Sequence, residues 1–187
     1  MLKNSDELNG MREAGKLAAE VLEMITDYVK PGISTGELDE ICFKYITDVQ
    51  KAIPANVGYR GFEKTLCTSI NQVICHGIPD TNRILKSGDI MNIDVTVIKD
   101  GWHGDTSKMF LIGKAQSHNE RLVRVTQECL YKGIEAARPG ARLGDIGNAI
   151  QLHAEKNYYS VVEEYCGHGI GKIYHDEPQI LHYGEPN

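Results

Sequence analysis

Asp94 and Asp105 are the residues best placed by type and spacing to do chemistry. They lie in the stretch Ile90–Ile112, where apolar and polar residues alternate on both sides of Asp100-Gly101. Asp-Gly between two alternating runs is a strong short signal for a β-hairpin. With Asp100 and Gly101 as the loop, Lys99 pairs with Trp102 and Asp94 falls opposite Ser107. Asp105 is then the diagonal neighbour of Asp94 on one face, at a Cα spacing of roughly 7–8 Å. That face also carries Asn92, Thr96 and His103, and the other carries Met91, Ile93, Val95 and Val97. Two carboxylates on a rigid sheet suit a hard or borderline divalent cation. They equally suit a plain hairpin with one wetted face, because antiparallel sheets often expose one side.

A second stretch is Gly167-His168-Gly169-Ile170-Gly171-Lys172-Ile173-Tyr174-His175. Its two histidines are seven apart among glycines that let the backbone bend and approach a ligand. A third histidine, His76, precedes Gly77. Taken singly, a histidine is more often structural than catalytic. Imidazole beside paired carboxylates suits Zn, Mn, Fe or Co.

The elements that must position these groups follow from periodicity. Leu8, Met11, Ala14, Ala18, Val21, Leu22 and Ile25 make one apolar stripe, which predicts a helix over about 4–29, ended by Pro31-Gly32. Ser34 and Glu37 form a capping box for a second helix bearing Leu38, Ile41, Cys42, Tyr45, Ile46 and Val49. Residues 52–63 read as loop, 65–70 and 73–76 as short strands, and Ser87-Gly88-Asp89 as the turn into the hairpin. Ser117 and Glu120 predict another capping box, opening a third helix to about residue 137 with Leu122, Val125, Cys129 and Ile134 on one side. A fourth helix is expected over 143–156 and a strand over 158–165. Lys30-Pro31-Gly32 with Gly36-Glu37-Leu38 recurs as Arg138-Pro139-Gly140 with Gly144-Asp145-Ile146, and His-Gly-Ile follows each copy. This faint repeat predicts two related halves, the second with a hairpin of its own after His168.

At 187 residues with 41% hydrophobic content, the chain can bury a core and is expected to be a single domain over 1–187. A net charge of −6 without any Lys/Arg run speaks against a nucleic-acid surface. The five cysteines are odd in number and lack C-x-x-C spacing, which fits a reducing compartment. No apolar stretch reads as a signal peptide or a membrane span, so a cytoplasmic location is expected.

Asn92-Ile93-Asp94, Gly104-Asp105-Thr106, Cys75-His76-Gly77-Ile78-Pro79 and the long run from Tyr165 through His175 to Leu181-His182-Tyr183 resemble type I methionine aminopeptidase. So does Met11-Arg12 followed by Ala14-Gly15. The resemblance implies the pita-bread fold: two pseudo-symmetric α+β halves, each an antiparallel sheet covered by helices. It implies removal of the initiator methionine from nascent polypeptides, near the ribosome. Asp94, Asp105 and His168 match the family's metal ligands, which hold divalent ions (Co, Mn, Fe or Zn) that polarise the scissile carbonyl and acidify a bound water. His175 resembles the histidine that stabilises the oxyanion, and His76 the one that contacts the scissile amide. Tyr59, Phe62, Cys67 and Tyr174 resemble the lining of the methionine pocket, where soft apolar walls suit a thioether. Plain core packing is the competing reading of those four.

Two positions depart from the family pattern: Asn56 stands where a small cysteine is frequent, and Tyr174 where phenylalanine is common. Two further family glutamate ligands have no counterpart before Asn187. The second half is therefore expected to be incomplete and C-terminally truncated, with a site for two metals, one or none. An exposed sheet edge and self-association are expected with it. The alternative is a peptide-binding module of the same fold without catalysis, or an inactive fragment. A proline-specific peptidase ranks last, since those usually carry a large N-terminal domain.

Overall fold

The computed structural model describes residues 4–186. They form two compact units, one of 4–116 with Gly171–Tyr174 and one of Ser117–Ile170 with 175–186.

The first unit is an antiparallel sheet backed by helices. Helix α1 (Ser5–Ile25) opens on Asn4, whose side chain accepts the Glu7 N–H. It buries Ala14, Leu17, Ala18, Val21, Leu22 and Ile25, close to the predicted stripe, while Leu8 stays exposed. The helix ends before the expected proline. The Thr26 hydroxyl donates to Leu22 O and the Thr26 N–H to Glu23 O, tightening the last turn. Helix α2 (Thr35–Lys44) carries the predicted capping box: Ser34 N–H donates to Glu37 at 2.9 Å, and Glu37 N–H to Ser34 Oγ at 3.1 Å. It runs on as a wider π turn over Tyr45–Val49.

Strand β3 (Ile90–Lys99) is the centre of the sheet. It pairs on one edge with β1 (Ile53–Pro54) and β2 (Leu66–Ile70), and on the other with β4 (Trp102–Leu111). The β3–β4 register is the predicted one, with Lys99 opposite Trp102, Asp94 opposite Ser107 and Thr96 opposite Asp105. Asp100 at φ +49° and Gly101 at φ +81° form the left-handed pair that a two-residue hairpin loop needs. Met91, Ile93, Val95 and Val97 are fully buried with Leu38, Cys42, Ile46 and the α1 stripe in one core. The helices therefore cover one face of the sheet. Gly104 lies on that covered face, where a Cβ would fall 2.1 Å from Ala14 O, so α1 packs directly on the β4 backbone.

The expected strand over 73–76 does not form. Val73 N–H closes a turn on Ile70 O, His76 takes φ +55°, and Gly77 O accepts the Thr68 N–H. The bond from β2 that such a strand would have used is thus taken by Gly77.

In the second unit, α3 (Ser117–Ala136) packs on α4 (Leu143–Lys156), burying Val125, Cys129 and Ala154. Gly133 extends the buried line of α3, while Leu122 and Ile134, expected on it, are exposed. Ser117 is the first residue of α3, so it does not occupy the predicted cap position. The repeat is visible in chemistry: Asp145 accepts the Arg142 N–H at 2.8 Å as Glu37 accepts that of Ser34, and Gly32 and Gly140 both have positive φ. No strand forms over 158–165, where Tyr158 sits at φ +64° and is 93% exposed. Instead β5 (Gly167–Gly169) pairs with β6 (Asp176–Ile180), with an irregular register after His168. The segment after β6 is tied to α4, where Asn148 Nδ2 donates to Gly184 O and Gln151 Oε1 accepts the Gly184 N–H. Among the described residues no helix is long and apolar enough to cross a membrane.

Candidate metal centre and side-chain pocket

The uncovered face of the β3–β4 hairpin brings Asp94 and Asp105 into hydrogen-bonding contact. Asp94 is half-buried and Asp105 exposed. Burial first, then the charge of Asp105, pushes the Asp94 carboxyl up to about 7. Two facing carboxyls on a rigid hairpin concentrate more negative charge than either tolerates alone. A divalent cation is the partner this donor set fits.

Thr96 stands between the carboxyls and the neighbouring side chains. Its hydroxyl is 3.0 Å from Asp105 Oδ1 and 2.6 Å from the Tyr174 hydroxyl. Tyr174 in turn lies 2.7 Å from Asn56 Oδ1, and the Asn56 amide donates to Thr65 O at 3.0 Å. Tyr174 packs against Tyr59, with ring centroids 4.8 Å apart, and stacks on His103 at 5.5 Å. Its short segment is fastened to the start of β4. Gly171 O accepts the His103 backbone N–H and the His103 ring Nδ1, both at 2.9 Å, and Lys172 lies over the Trp102 ring.

Cys67 is the register partner of Asp94 on β2. Burial, and next the charge of Asp94, pushes its thiol up to about 12. It is therefore neutral and not a nucleophile at ordinary pH. Burial likewise raises the Tyr174 hydroxyl, so it stays protonated. Phe62 is half-buried just after the single turn Tyr59–Gly61, where Gly58 N–H donates to Phe62 O. The first unit thus brings together Asp94, Asp105, Cys67, Tyr59 and Tyr174. His76 is exposed on the 71–79 loop.

In the second unit His168 and His175 approach to 4.3 Å between ring centroids. His168 Nδ1 bonds Gly169 O at 2.9 Å, and because a carbonyl only accepts, Nδ1 is the donor. Among the described residues no three or more His, Cys, Asp or Glu are gathered as a metal-binding cluster. Thr96 and His103 are neighbours that spacing alone placed on the right face without a role. The signal for Asn56 was its paired departure with Tyr174, since the two prove to be hydrogen-bonded to each other.

Residues 9–187 match the model for metallopeptidase family M24. The chain belongs to that family. It is similar to the methionine aminopeptidase of Salmonella typhimurium, with 62% identity over 182 residues, covering 97% of this chain and 69% of that one. The crystal structure of methionine aminopeptidase from Rickettsia prowazekii superposes with a TM-score of 0.97 at 54% identity, over 100% of this chain and 74% of that one. The fold is the α+β pita-bread fold of M24. Prolidase from Pyrococcus furiosus, at 18% identity, has a TM-score of 0.83 over 98% of this chain and 53% of that one, a likeness of fold alone.

Proposed function

We propose that the chain is a metal-dependent exopeptidase that removes the N-terminal methionine from nascent polypeptides. The observation that carries this is the facing Asp94–Asp105 pair in a chain so similar to methionine aminopeptidases. In this reading Asp94, Asp105 and His168 hold the cation, of Co, Mn, Fe or Zn type. When bound, that ion supplies polarisation of the scissile carbonyl and acidifies water. Tyr59, Phe62, Cys67 and Tyr174 receive the methionine side chain. The Cys67 thiol suits that task because it stays neutral and polarizable beside Asp94. His175 donates to the oxygen on which negative charge develops, and His76 contacts the scissile amide. Thr96 orients Asp105 by donating to it.

The test is release of methionine from Met-Ala-Ser with Co, Mn, Fe or Zn added in turn, beside an Asp94→Ala control. The expected result is metal-dependent release that the control loses. No release by a chain shown to be folded would favour the alternative, a peptide-binding module or an inactive fragment.

A further inference from the structure

Thr96, Tyr174 and Asn56 form a line of oxygens that ends on Asp105. The links are 3.0 Å (Asp105–Thr96), 2.6 Å (Thr96–Tyr174) and 2.7 Å (Tyr174–Asn56). Both ends are acceptors when Asp105 carries its charge: a carboxylate and an amide oxygen. The Asn56 amide cannot turn round without losing its own acceptor, because its NH2 is spent on Thr65 O. Two hydroxyl hydrogens must then serve three short links. The hydrogens can all point toward Asp105, with Tyr174 donating to Thr96 and Thr96 to Asp105. They can instead all point toward Asn56, with Thr96 donating to Tyr174 and Tyr174 to Asn56. The split arrangement leaves Thr96 and Tyr174 with only lone pairs facing each other at 2.6 Å, so the two hydroxyls turn together.

We propose that Asn56 and Tyr174 are positioning residues for Asp105, acting through Thr96 as an invertible hydroxyl relay. This rests on the reading of Asp105 as a cation ligand. Asn56 competes with Asp105 for the same run of hydrogens. Binding of a divalent cation requires Asp105 held in one orientation, which the Thr96 hydroxyl supplies by donating to it, so the relay points toward Asp105 and the Asn56 oxygen loses its donor. The polar group in the pocket wall and the cation are thereby coupled without touching. The residues of the relay are buried or half-buried up to Asp105, so water is a weak competitor along it.

Titration of the full chain with cobalt chloride, followed by calorimetry, tests this, with melting curves as the control for folding. Asn56→Cys removes the competing acceptor and should tighten cobalt binding on the order of 5-fold. In a Tyr174→Phe background the same change should do nothing, because the hydroxyl that carries the competition is gone. Thr96→Val should weaken binding about 10-fold and abolish the Asn56 effect, whereas Thr96→Ser should retain both. Asn56→Ala repeats the test if Asn56→Cys fails to fold. An Asn56 effect that is equal in both backgrounds, reversed in sign or absent would overturn the relay. Retention of cobalt binding by Asp105→Asn, or its absence in the parent chain, would overturn the cation reading itself.

Discussion

At the scale of single residues, the site is governed by what burial does to charge. Asp94 sits half-buried with another carboxyl in contact, and its carboxyl is raised to about 7. A carboxyl raised in the fold keeps its proton where the unfolded chain has already lost it. Stability of the chain in chelator should therefore fall as pH rises from about 4 to about 7, by on the order of 2–4 kcal/mol, and change no further from this source above that. Thermal melts across that window would show it as a slope in the parent that is absent in Asp94→Asn. Equal slopes would mean that the pair is not what burial makes it. If the pair holds a cation as proposed, added divalent cation should recover the loss at pH 8.

At the scale of elements, two contacts hold the helices of the first unit in place. One is the closeness of α1 to β4 at Gly104. A methyl group there meets Ala14 O at 2.1 Å, and both partners are backbone, so nothing yields cheaply. Gly104→Ala should destabilise the chain by about 1–3 kcal/mol, seen as a lower urea midpoint with an unchanged slope. An unchanged midpoint would show that α1 is not seated as described. The other is the start of α2, where Ser34 and Glu37 satisfy each other's backbone N–H groups. Ser34→Ala should cost about 1 kcal/mol in the same measurement.

At the scale of the whole molecule, the two units differ in how much they bury. The first unit's core joins α1, α2 and three of its strands, with Ala18, Val21, Ile25, Leu38, Met91 and Ile93 all below 1% exposure. The second unit's buried cluster, among the described residues, is Val125, Cys129 and Ala154. Leu130, Tyr131, Ile134 and Leu152 on its helices are each more than half exposed. Local opening free energy follows buried apolar contact, so the amides of α3 and α4 should exchange through smaller openings than those of β3. Native-state hydrogen exchange would settle it. Protection of α3 equal to that of β3 would mean that the chain opens only as one body.

Much of this was determined by the sequence alone. The hairpin register around Asp100-Gly101, the α2 capping box and the bounds of α4 are local matters. They are set by φ preferences, short-range hydrogen bonds and strict periodicity, all readable in neighbouring residues. The paired Asp94 and Asp105 follow from that register, and the M24 family follows from the motifs around them. Tertiary structure decided the rest, because it depended on partners distant in the chain. Residues 73–76 have strand-like composition, but the turn of Val73 on Ile70 and the positive φ of His76 keep them irregular, and 158–165 form no strand either. Ile134 matches the stripe of α3, yet the second unit offers it no cover. Asn56, Thr96 and Tyr174 come from a loop, a strand and a glycine-rich segment, and no local rule joins them. Only folding brings their oxygens within hydrogen-bonding distance, and only there can the proposed relay reach Asp105.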